Sequence, residues 1–152
     1  MAYTSAEGRQ ELLDSLAQAI EQIGFALSDL GAAYEQLDER TGDRLEEELF
    51  RPVQVAYGRA KTTHARFAER HGIDSPAFEA PPPGAPSTGV RGFIDDAVNA
   101  VTRADGALSG LQDSALPSEV GDAELRAALT DVRGLLGGVR QRAREIERTL
   151  GR

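Results

Sequence analysis

The sequence predicts an all-α protein, an antiparallel up-down-up-down four-helix bundle. Three observations carry that expectation. Apolar residues recur alternately three and four apart along four separate stretches, the seam of left-handed helix packing. Most of the stretches are joined by short turns. One proline-rich segment, 73–88, parts them into two pairs. With 152 residues the chain fits a single domain, 1–152, of ordinary size.

The first helix is expected at about 5–38. Its seam is Leu13, Leu16, Ile20, Ile23, Leu27, Leu30, Tyr34 and Leu37, and Thr4 with Glu7 has the spacing of a capping box. Gly24 and Gly31 flank the seam, where a glycine costs roughly 1 kcal/mol against alanine, so both point to a close neighbour. Thr41-Gly42 then interrupts the pattern, and Asp43 with Glu46 offers a second box. The second helix is expected at 43–71, with the seam Leu49, Val53, Ala56, Ala60, Thr63 and Phe67. Pro52 removes one hydrogen bond there, which predicts a kink or a short preceding helix.

The segment 73–88 holds Pro76, Pro81-Pro82-Pro83-Gly84 and Pro86. It must be extended, and we expect it to cross the bundle end with Ile73 and Phe78 tucked down as a lid. The third helix is expected at 89–112 on Val90, Ile94, Ala97, Val101, Ala104, Leu108 and Leu111. The fourth, at 119–150, has the seam Leu125, Leu129, Val132, Leu136, Val139, Ala143, Ile146 and Leu150. Gly137-Gly138 inside it reads as a packing notch or weak point. Gly8–Leu30 laid on Gly89–Leu111 pairs Ala26-Leu27-Ser28 with Ala107-Leu108-Ser109, so a duplicated helical hairpin is a further expectation.

Composition narrows the functions. The net charge is -8, and there is no cysteine. Thiol nucleophiles, disulfide scaffolds and thiolate zinc sites are excluded. Net acidity argues against nucleic acid as a partner. Met1 to Leu13 lacks the basic start and apolar run of a signal peptide, and no stretch approaches the roughly 20 apolar residues of a membrane span. The expected compartment is the cytoplasm, with no membrane partner.

Acids dominate residues 1–50 and 73–125, whereas bases, nearly all arginine, dominate 51–72 and 126–152. In an up-down-up-down bundle both basic stretches fall at one end. Part of that layout complements the helix macrodipoles. Its functional reading is a patch for an anionic partner made of Arg66, Arg70, Arg140, Arg144 and Arg148.

His64 and His71 are the two histidines. Their seven-residue spacing is too wide for one metal on one helix, which wants three or four. The Glu-x-x-His pairs of di-iron bundles are absent, since Lys61 and Ala68 occupy those places. No metal and no cofactor is expected. No Gly-x-Ser-x-Gly elbow and no phosphate loop is present, which leans against an enzyme. His64-Ala65-Arg66-Phe67-Ala68 does resemble, over a few residues, the histidine-phosphotransfer domains. Those are four-helix bundles with an exposed histidine followed closely by a basic residue and a glycine. The glycine is missing here. That resemblance implies His64 as a phosphoacceptor, and a small-ligand site centred on His64 is its neighbouring alternative.

Phe25, Phe50, Val55 and Tyr57 fall off the seams and are candidates for an interface. The leading functional expectation is therefore a non-catalytic module acting through a protein partner or self-association as a homodimer.

Overall fold

In the computed structural model residues 4–150 are described, and all regular structure among them is helical. Helix α1 spans Ser5–Glu35, its first turn capped by the Thr4 hydroxyl, which accepts from the Glu7 N–H at 3.1 Å. It stops before the expected residue 38 because Asp38 caps the next helix. The Asp38 carboxylate accepts from the Thr41 N–H at 2.8 Å, satisfying a first-turn donor. Consequently α2, Glu39–Leu45, begins earlier than expected, and Thr41-Gly42 lies within it. The Asp43 box is not the start.

From α2 the chain runs without a break through a wide π-turn, Glu46–Phe50, into α3, Arg51–Arg70. The kink expected at Pro52 is absorbed in that turn. The Arg51 N–H reaches back five residues to the Glu46 carbonyl, the spacing of a π-turn. Helix α4 spans Gly89–Asp113, α5 Leu116–Glu119, α6 Ala123–Leu136 and α7 Val139–Leu150. The single helix expected over 119–150 is thus divided. Gly138 at φ +84° takes a backbone conformation that favours glycine, which ends α6 and restarts the chain as α7. Leu125, Leu129, Val132, Leu136, Val139, Ala143 and Ile146 nonetheless stay buried across the break.

Side-chain contacts fix the directions of the rods. Along α1 and α4, Arg9 donates to the Val120 carbonyl just beyond α4, Arg103 donates to Gln22, and Gln36 donates to the Pro86 carbonyl just before α4. The two helices are therefore antiparallel. Arg70 donates to Asp122 and Arg142 to the Glu48 carbonyl, so α2–α3 and α6–α7 are antiparallel too. Arg133 on Asp105 and Arg91 on Glu147 set α4 against α6–α7 in the same sense. Helix α1 also packs on α3, with Tyr57 against Gly24. These contacts correct the expected alternation. The rods run up, down, down, up, and one connection must traverse the whole length.

That connection is the proline segment. Ser75 lies beside His64, Pro81 beside Gly24, and Pro86 beside Gln36. The arithmetic agrees: about 34 Å for the 11 extended residues from Ser75 to Pro86 against about 35 Å for the helical rise from Leu13, whose backbone lies beside His64, to Gln36. So 73–88 is a strap laid along α1 and α3 rather than a lid across an end. Ile73 and Phe78 do pack on the core. Gly24 suits this close approach: a Cβ would sit 3.3 Å from both Pro81 and Tyr57, which would have to give by a few tenths of an ångström. Gly31, by contrast, faces open space, so the close neighbour expected of both glycines exists at one.

The core is continuous, with Leu16, Ile20, Ile23, Leu49, Val53 and Ile94 fully buried. Burial of each such side chain contributes about 1.5–3 kcal/mol.

Candidate functional site

The five arginines of the expected patch do not meet. Because the second and fourth rods are antiparallel, Arg66 and Arg70 lie at the end where α6 begins, and Arg140, Arg144 and Arg148 lie along α7 toward the opposite end. Arg70 is engaged at Asp122 and Glu124. Burial alone would raise the Asp122 carboxyl. Hydrogen bonds from Arg70, the Leu125 N–H and His71 outweigh it and hold the pKa at about 2. Arg66 keeps a loose 3.9 Å approach to Glu124, with its side chain two-thirds exposed.

His64 is 3% exposed. Its Nδ1 pairs with the Ser75 hydroxyl at 2.6 Å, and its ring meets Phe78 edge-on at 5.0 Å. Burial holds its pKa below the ordinary histidine value. The strap lies over this imidazole, so the exposed phosphoacceptor is corrected to a neutral residue that anchors the crossover. Ligand binding centred on His64 loses its premise as well. Thr63 and His64 are the buried polar side chains among the described residues, and both are hydrogen-bonded within the protein.

Of the four interface candidates, Tyr57 is buried beneath the strap and Phe50 is half-buried against the core. Phe25 and Val55 remain exposed, at 36% and 41%. They sit on different faces. Phe25 is on the outward side of α1, whereas Val55 opens a groove of about 400 Å³ between α3 and α6. Leu125, Ala128 and Thr63 form its floor, Gly58 widens it, and Arg59 and Arg66 stand on its rim. Arg59 has no carboxylate within ion-pairing distance among the described residues. Sequence reasoning passed over Arg59 and Ala128 because the seam of α6 and the flank of α3 are read separately along the chain. Arg59 and Arg66 seven apart were the available signal.

A second groove, between α4 and α7, carries both signs of charge in its lining. Asp95, Asn99 and Thr102 face Arg140, Arg144 and Glu147. Burial, with hydrogen bonding to and repulsion from Asp95, pushes the Glu147 pKa to about 7. Val98, packed on the core, is the apolar side chain in its lining. Among the described residues no cluster of three metal-ligating side chains occurs, and no helix is long and apolar enough to cross a membrane. No family model matches the chain, and neither a curated protein nor a solved structure matches it.

Proposed function

We propose that the chain is a non-catalytic protein–protein interaction module, and that its four rods form one four-helix bundle with a single long crossover. The groove between α3 and α6 is its contact face. One observation carries this reading: the groove joins the apolar side chains of Val55, Leu125 and Ala128 in its lining to unpaired arginine at Arg59. Arginine is enriched at interface hot spots, and the apolar side chains beside it supply surface to bury. The duplicated hairpin gives the bundle its construction, since the two hairpins, α1 with α2–α3 and α4 with α6–α7, face each other in opposite directions.

A photo-crosslinking residue at Thr62, in the middle of the groove, tests the reading in cells. A discrete protein adduct at Thr62, lacking when the crosslinker is moved to Thr102 on α4, supports it. Equal or absent adducts at both positions refute it.

A further inference from the structure

We propose that the occupant of the α3/α6 groove is the outward stripe of α1 from a second copy of this chain. The proposal rests on that groove being a protein-binding surface and names what fills it. On α1, Asp14, Gln18, Glu21 and Phe25 are all exposed. Their spacing of four, three and four puts them on one stripe. It is acidic, with a single aromatic side chain at one end, and neither Asp14 nor Glu21 has a cationic partner among the described residues.

The receiving stripe on α3 has the matching spacing. Val55, Arg59, Thr62 and Arg66 follow at four, three and four, and all four line the groove. With Phe25 seated on Val55 and the two helices antiparallel, Glu21 falls opposite Arg59, Gln18 opposite Thr62, and Asp14 opposite Arg66. The charge-bearing positions stand about 6 Å and about 16 Å from the apolar anchor on both helices. The register thus brings apolar to apolar, acid to base twice, and amide to hydroxyl. Reversing either helix would put Asp14 on Val55 and Phe25 on Arg66.

Knob and groove lie on different faces of the molecule, with the strap filling the furrow between α1 and α3. The contact is therefore heterologous: each copy gives a knob to one neighbour and a groove to the other, so copies add in a chain or ring. This is one form of the self-association expected from sequence, and it differs from a homodimer in not closing on two copies. A contact of about three helical turns is small, which places it among weak, concentration-dependent associations.

Sedimentation of the purified chain between about 10 μM and about 1 mM tests it, over the range proper to weak contacts. The mass should rise with concentration past that of a dimer. A knob variant, Asp14→Arg with Glu21→Arg, and a groove variant, Arg59→Glu with Arg66→Glu, should each weaken association by about tenfold or more. Mixed in equal amounts they should assemble again, because each reversed stripe meets its reversed partner. Helical circular dichroism confirms that both variants fold, as all four positions are at the surface. A wild-type chain monomeric at every concentration, or association indifferent to the reversals, overturns the proposal. A monomeric chain that still forms the Thr62 adduct with another protein overturns the second copy alone and leaves the interaction reading standing.

Discussion

The Nε of Arg142 on α7 donates to the backbone carbonyl of Glu48 at 2.8 Å. Pro52, four residues after Glu48, has no N–H to offer that carbonyl. An arginine from the fourth rod thus supplies the donor that a proline in the second withholds, across 94 residues of sequence.

Arg142→Ala should destabilise the protein by about 1–2 kcal/mol, the cost of leaving a part-buried acceptor unmet. In a Pro52→Ala background, where the helix regains its own N–H, that loss should shrink to less than half. Urea denaturation of the four chains of this cycle measures it. Equal losses in both backgrounds would show that Arg142 acts elsewhere.

His64 should make the strap sensitive to acid. Its folded pKa lies below the unfolded one because burial disfavours the imidazolium, against a weaker opposing pull from the Leu13 backbone and Asp14. The unfolded chain then binds the proton first, so the contribution is whole above the unfolded value of about 6.5 and is lost as pH falls below it. His64→Asn should lower stability at pH 7.5 and flatten its decline between pH 7 and pH 5.5. Thermal melts at both pH values read this directly.

Glu147 should act in the opposite direction. Its folded pKa of about 7 stands above the ordinary carboxyl value, so the folded state favours the protonated form. Stability from this group is whole below about pH 4.5 and is lost as pH rises through 7. Glu147→Gln should therefore raise the melting temperature most at pH 8 and least at pH 5. An equal shift at both values would mean that folding does not raise the Glu147 carboxyl.

Gly24→Leu should displace the strap, because the Cβ alone already meets Pro81 and Tyr57 at 3.3 Å. Overpacking of this kind costs about 1–3 kcal/mol. Limited proteolysis should show faster cutting between residues 73 and 88, with the helices still intact. Unchanged cutting would mean that the strap is held by its ends, at Ser75 and Pro86.

Helix existence was legible at short range. Seams such as Leu13 to Leu37 and Leu125 to Leu150 depend on residues one turn apart, and the Thr4 cap on residues three apart. Boundaries were less so. Asp38 and Asp43 both have capping chemistry, and the end of α1 selects Asp38. Gly137-Gly138 announced a weak point, but whether it bends or breaks a helix depends on what the next turn packs against. Of the candidate site, Val55 and Arg66 were legible as an off-seam apolar residue and an arginine. Their union with Leu125 and Ala128 was not, because it joins helices about 60 residues apart.

By itself, then, the sequence determined the helices, most of the buried stripe of each, and the extended form of the proline segment. These follow from local propensity and from a heptad period that local interactions enforce. Tyr34, placed on the seam of the first helix, is instead 40% exposed at the end of α1. Only the tertiary structure decided which way the third rod runs. A heptad seam packs well in either direction, and the segment 73–88 is long enough to cross an end or to span the full length. That one choice moved Arg66 and Arg70 away from Arg140, Arg144 and Arg148, covered His64 with the strap, and left the groove beside Val55 open.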